Sequence, residues 1–98
     1  MTITESKSGD TLTFALTGRL DTATSPELEA ALSGKLDNTS TLVMDLTGLE
    51  YISSAGLRVL LSAQKAMDTH GKLILRNVSA DVMEVFDITG FSDFLTIE

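Results

Sequence analysis

Hydrophobic positions follow three patterns along this chain, and each pattern predicts a different kind of element. From Thr11 to Thr17, Leu12, Phe14 and Leu16 alternate with threonine and alanine, the period of a half-buried strand. Thr2 to Ser6 reads as its hairpin partner across the turn-rich Lys7, Ser8, Gly9 and Asp10. Leu42, Val43, Met44 and Leu46 form a nearly continuous apolar run, and Leu73 to Leu75 form another between Lys72 and Arg76. Such runs predict central strands covered on both faces. Helical spacing follows Ser25, read as an N-cap with Pro26 at the first helical position and Glu27 and Glu29 in the first turn. Leu28, Ala31, Leu32 and Leu36 make its apolar stripe, and Gly34 marks a weak end. Ser79 is the N-cap expected for a later helix carrying Val82, Val85 and Phe86 on one face, with Gly90 beyond its end. Phe91 to Ile97 is expected to supply a short last strand. The order is two strands, then alternating helix and strand. This predicts an α/β fold: a small mixed sheet of four to five strands, parallel pairing through right-handed crossovers, and helices of about 11 to 15 residues.

The most informative stretch runs from Asp45 to Met67, where a strand, a glycine turn and a strong helix meet at the adjacent Ser53 and Ser54. The helix ends at His70 and Gly71. On a helical wheel Gly56, Leu60, Ala63 and Met67 share one face with Leu57 beside them, and this face packs on the sheet. Ser54, Arg58, Leu61 and Lys65 form the opposite stripe, bounded by Ser62 and Asp68. A single exposed leucine needs no explanation. In line with a serine and two cations, Leu61 is equally well placed as the centre of a docking surface. Extrapolated backward, the same wheel turns Ser53 towards the core and Ser54 towards solvent. Ser54 has a structural reading as an N-cap accepting from the amide of Gly56 or Leu57. It has a functional one as a contact residue, because a helix start would hold a phosphate well. The two are compatible.

Composition narrows the function classes. The 98 residues form one domain, 1–98, large enough for a single core. A formal net charge of −7 argues against nonspecific nucleic-acid or anionic-membrane binding, and a partner with a basic patch suits it better. The absence of cysteine excludes disulfides and thiolate metal sites and fits a reducing compartment. With a polar N-terminus and no apolar run near the roughly 20 residues of a membrane span, the expectation is a cytoplasmic protein.

Three catalytic readings fail. A serine hydrolase needs a base beside its nucleophile, and the only histidine, His70, follows Ser54 by 16 residues of helix. At about 1.5 Å per residue that is roughly 24 Å. A phosphorelay receiver would use Asp45 as acceptor but would pair acids after its first strand and carry a late lysine. No zinc or two-metal ligand cluster is present, so no metal, cofactor or enzymatic role is expected.

Three segments in order carry a resemblance over nearly the whole chain: LTGRLDTATSPELEAAL from Leu16 to Leu32, Asp45 to Leu61, and VFDITGF from Val85 to Phe91. With these the chain resembles the anti-sigma-factor antagonists of the STAS family. The resemblance implies a single STAS-like domain that acts by partner switching. The unphosphorylated form binds an anti-sigma factor that is also a serine kinase, which frees a sigma factor; phosphorylation releases the antagonist, and a PP2C-type phosphatase restores it. The implied phosphoacceptor is Ser54, with Ser53 as the alternative, and the implied partner-binding positions are Asp21, Ser53, Ser54, Arg58, Leu61 and Lys65. Many family members have Asp before the acceptor and Ser or Thr after it, where this chain has Ser53 and Ala55. Asp21 matches an acidic position whose role is either kinase contact or a loop-stabilising bond. Asp45 is read as structural, holding the turn before the serines. A monomer or weak dimer is expected. The rival is a noncatalytic STAS subunit, constitutively bound in a transporter or signalling assembly, with Ser54 only a helix cap.

Overall fold

The computed structural model describes residues 1–98. Strands β1 (Thr2–Ser8) and β2 (Thr11–Leu20) form the antiparallel hairpin. The chain continues through α1 (Ser25–Leu32), β3 (Thr41–Ile52), α2 (Ser54–Asp68), β4 (Lys72–Arg76), α3 (Ala80–Thr89), a 3-10 turn (Phe91–Asp93) and β5 (Thr96–Ile97). The sheet order is β1-β2-β3-β4-β5, and every pair after the hairpin is parallel. The mixed five-stranded α/β sheet agrees with the expected class.

The expectation that both faces of the sheet are covered does not hold. All three crossovers step in the same direction across the sheet, so their common right hand places all the helices on one side. In register, Leu12, Leu42 and Leu73 align, as do Phe14, Met44 and Leu75. These side chains join Leu28, Leu60, Met67, Val82 and Phe86 in a single core of 21 residues. Val43 and Ile74 alternate to the other face and lie outside that core, yet each is only 4% exposed. Val43 pairs with Thr13 and Ile74, and Ile74 with Thr96, so branched cross-strand neighbours shield this face. An uninterrupted apolar run therefore arose without a second helical layer.

Four boundaries also differ from the sequence reading. Thr24, not Ser25, is the N-cap of α1; Ser25 is buried in the first turn, where its hydroxyl donates to the carbonyl of Asp21 at 2.6 Å. The helix ends at Leu32, so it has 8 residues and leaves Leu36 in the following loop. At the C-terminus the strand is confined to Thr96–Ile97, because Phe91 and Phe94 stack at 4.8 Å across a 3-10 turn whose three-residue period brings them together.

The fourth boundary is the most consequential. Strand β3 runs to Ile52, carried by two register shifts against β2, between Ala15 and Thr17 and between Gly18 and Arg19. Each shift sets an additional β3 residue against β2, as a bulge does. Leu46, Leu49 and Ile52 can therefore all be buried although strict alternation would turn one of them out. Helix α2 then starts directly on the strand ends. A Cβ at Gly56 would lie 2.8 Å from side-chain carbons of both Ile52 and Leu20, so only glycine permits this approach. Gly56→Val should destabilise the fold by about 1–3 kcal/mol through overpacking. A urea midpoint equal to wild type would show that the contact relaxes without cost.

Candidate functional site

The serines separate as the wheel predicts. The Ser53 N–H donates to the carbonyl of Leu20 at 2.9 Å, and its own carbonyl accepts the first helical bond from Leu57 at 2.9 Å. Ser53 is thus the N-cap by backbone position, with extended dihedrals, but its hydroxyl makes no capping bond. That oxygen is buried and without a partner. Ser54 is the first helical residue and is exposed; the reading of Ser54 as the cap is corrected by one position. No side-chain oxygen satisfies the amides at this helix end, which retain the partial positive charge of a helix N-terminus.

Of the predicted stripe, Arg58 and Lys65 are exposed and Leu61 is half-buried. Leu61 is therefore no isolated surface leucine: it lines a groove of about 370 Å³ between the start of α1 and α2, with Thr22, Pro26, Ala55, Arg58 and Lys65 among its neighbours. Val59, which the wheel left off the core face, is 5% exposed because α1 packs against it. The sequence offered one clue in the run Val59, Leu60, Leu61, too apolar for a helix with one covered face.

Asp21 stands beside this groove at the end of β2. Its carboxylate accepts from the N–H groups of Ala23 at 3.0 Å and Thr24 at 3.1 Å. The Thr24 hydroxyl accepts from the Asp21 N–H at 2.9 Å and donates to the Arg19 carbonyl at 2.7 Å. This reciprocal pairing has the logic of a capping box, and Asp21 is a loop-stabilising residue. Arg19 approaches its second oxygen at 3.8 Å and also lies 4.1 Å above the Tyr51 ring. The Thr24 N–H is the main influence holding the Asp21 carboxyl below the ordinary 3.8; the Thr24 hydroxyl, the Ala23 N–H and Arg19 reinforce it against partial burial.

Asp45 is structural, but at a different place from that expected. It lies within β3 rather than at its end, and accepts from the Thr47 hydroxyl at 2.6 Å, the Thr47 N–H at 3.0 Å and the Asn77 amide at 3.1 Å. It therefore ties the first register shift to the β4–α3 loop, where Asn77 has a positive φ of 57°. The Thr47 hydroxyl chiefly holds its carboxyl below 3.8, then Asn77, the Thr47 N–H and Arg76, opposed by burial. His70 is remote from the serines, at the C-terminal end of α2, with Nε2 at 2.6 Å from the Leu36 carbonyl. No group of three or more His, Cys, Asp or Glu side chains is placed to hold a metal ion. No helix is long and apolar enough to cross a membrane.

The STAS domain family model matches residues 2–98. The chain belongs to the STAS family. Among curated relatives, BtrV of Bordetella bronchiseptica, named as an anti-sigma factor antagonist, is 41% identical over 93 residues, covering 93% of this chain and 80% of that one. The anti-sigma-B factor antagonist of Staphylococcus aureus is 33% identical over 82% of this chain and 76% of its own. Both relatives are named for a regulatory role, antagonism of an anti-sigma factor. The fold is that of the anti-sigma factor antagonist SpoIIAA of Bacillus. Its unphosphorylated form matches with a TM-score of 0.80 at 19% identity, over 99% of this STAS domain and 87% of that chain. The phosphorylated form matches at 0.78 and 20% identity, over 99% and 91%. The murine anion transporter Slc26a9 contains the same fold, at a TM-score of 0.73 and 18% identity, over 94% of this domain and 17% of that chain.

The two aspartates generate a pH prediction. Both folded values lie below the ordinary 3.8, so their stabilisation is complete above that value and is lost as the pH falls through the folded values. Asp45→Ala should cost about 1–2 kcal/mol at neutral pH, by removing the acceptor of three bonds at a partly exposed site. As the pH falls through the lowered Asp45 value, the gap between variant and wild type should close. Urea midpoints across that range check it, and a gap that persists in acid would contradict the assignment.

Proposed function

We propose that this STAS domain is an anti-sigma-factor antagonist acting by partner switching, with Ser54 as its switch. Unphosphorylated, it binds an anti-sigma factor that is also a serine kinase and so frees a sigma factor; phosphorylation of Ser54 releases it, and a PP2C-type phosphatase resets it. One observation carries the assignment: at the helix start Ser54 is exposed with its hydroxyl unbonded within the chain, whereas the Ser53 oxygen is buried. A kinase can reach the first as it stands, whereas the second would first have to leave its enclosed position. The relatives named as antagonists support the same reading.

The proposed docking face is Ser54, Arg58, Leu61 and Lys65, with Asp21 holding the adjoining loop and Ser53 seating the helix. A phosphate on Ser54 adds roughly −1.5 to −2 charges. It meets a helix N-terminus that welcomes an anion, and Arg58, one turn on, is placed to pair with it. The modification therefore leaves the fold intact. Release comes from steric clash and the cost of burying a dianion, and about 2.7 kcal/mol of penalty weakens binding roughly a hundredfold. SpoIIAA, solved in both phosphorylation states, matches this chain almost equally well in each, which supports a switch without refolding.

The Slc26a9 match favours a second reading, a STAS subunit held constitutively in a larger assembly. In that reading Ser54 has no switch role. With cognate kinase and ATP, the protein should gain one phosphate, on Ser54 by mass spectrometry; modification confined to Ser53 would sink the assignment. Ser54→Ala should bind the anti-sigma factor as wild type does, and Ser54→Asp at least tenfold more weakly. Equal affinities would favour the constitutive subunit. Leu61→Glu should weaken the same binding by about 1–3 kcal/mol while shifting stability far less, and a collapse of the melting temperature would instead assign Leu61 to the core.

A further inference from the structure

We propose that the seam between α1 and α2 is a binding groove for an amphiphilic carboxylate, an unbranched acyl chain ending in a free carboxylate. The groove beside Leu61 does not stop at Lys65. A second hollow of about 280 Å³ continues it towards the C-terminal end of α1, and the two share Glu29, Val59 and Ser62 as a common wall. Both volumes fall at or just under the lower end of the small-molecule range.

The two ends differ in chemistry. At the mouth stand Arg58 and Lys65. Neither forms an ion pair, whereas Arg19, Lys35 and Arg76 are each matched with a carboxylate. In a chain of net charge −7 these two free cations on one groove form a local site for an anion. The inner hollow is walled by Leu32, Leu36, Val59, Ala63 and Ala66. Asp37 disfavours a negative head in the inner hollow, whereas Glu29, which borders both hollows, is offset at the mouth by the two cations. Charge and apolarity together fix the orientation: head at Arg58 and Lys65, tail along the inner hollow.

The walls favour an alkyl chain over a peptide strand. Most of their backbone groups are spent inside helices, so the inner hollow offers an occupant's amides few partners, and an alkyl chain needs none. Occupancy would also cover Arg58 and Lys65, so ligand and anti-sigma factor would compete. That consequence rests on the partner-switching reading; the binding itself does not.

Sodium decanoate titrated into the isolated, isotope-labelled full chain tests the site without any partner. Amide NMR signals of Val59, Ser62 and Ala66 should shift saturably, with no such response to sodium acetate. Ser62→Trp, an exposed-site change that blocks the shared wall, should weaken binding at least tenfold, as should Arg58→Ala with Lys65→Ala; Ala66→Phe provides a second block. Each variant is scored only after its spectrum shows a folded domain. The proposal is overturned by an absence of saturable shifts, by unchanged affinity in Ser62→Trp and Ala66→Phe, or by shifts centred on the exposed Ile88 and Phe94. It is equally overturned if decanoate fails while Ser62→Trp abolishes anti-sigma binding, since the groove then receives a protein side chain. Decanoate binding to a protein whose Ser54 is never phosphorylated would leave the groove standing and remove the switch.

Discussion

The Ser53 N–H bonded to the Leu20 carbonyl extends the β2–β3 ladder to the residue at which helix α2 begins. No flexible connection intervenes, and Gly56 lets the first turn rest directly on Leu20 and Ile52. The direction of the helix is therefore set by the sheet. So is the position of Ser54, one residue beyond the ladder. The same strand end fixes the neighbouring loop, because Asp21 follows Leu20 and closes its turn with Thr24. Two surfaces that a partner would touch together are thus anchored at one corner of the sheet, and α1 follows from that loop to form the far wall of the groove.

Charge is distributed against the average of the molecule. An acidic chain ordinarily repels anions, yet its second helix carries two unpaired cations on one stripe, Arg58 one turn from an uncapped N-terminus and Lys65 in the last turn. Local potential, not net charge, governs what docks there. The basic partner expected from net charge suits the remainder of the surface; the groove itself suits an anionic group. Asp21 and Asp45 form no ion pair with those cations: one oxygen of each takes its bonds from backbone amides, hydroxyls and the Asn77 amide, and the second oxygen of Asp21 faces Arg19.

The strands, the helices and the division of Ser53 from Ser54 were legible because they rest on local periodicity. The misreadings share one cause, which is that spacing along a chain does not report what lies across from it. Val43 and Ile74 read as doubly covered strand positions, but a sheet face can shield them with threonine and isoleucine from neighbouring strands. Ser25 has the residue type of a cap, yet Asp21 and Thr24 close a turn earlier and move the helix boundary. Leu61 read as the centre of an outward face, and only the approach of α1 turns it into a groove wall. The register shifts in β3 left no period to detect, since they work by breaking one.

The unpartnered hydroxyl of Ser53 bears on why a switch at Ser54 would be confined to one residue. A buried polar oxygen without a hydrogen bond costs about 1–3 kcal/mol, so Ser53 is not there to stabilise the fold. An aspartate in its place, as many family members have, would bring a charge to the same enclosed position and would need a partner there. Serine keeps the position small and neutral at a modest cost. The Ser53 main chain meanwhile supplies what the junction requires, one donor to Leu20 and one acceptor for Leu57. Phosphorylating Ser53 would require its hydroxyl to leave that enclosed position first. Phosphorylating Ser54 would require no such rearrangement, so the geometry itself would favour Ser54 over its neighbour.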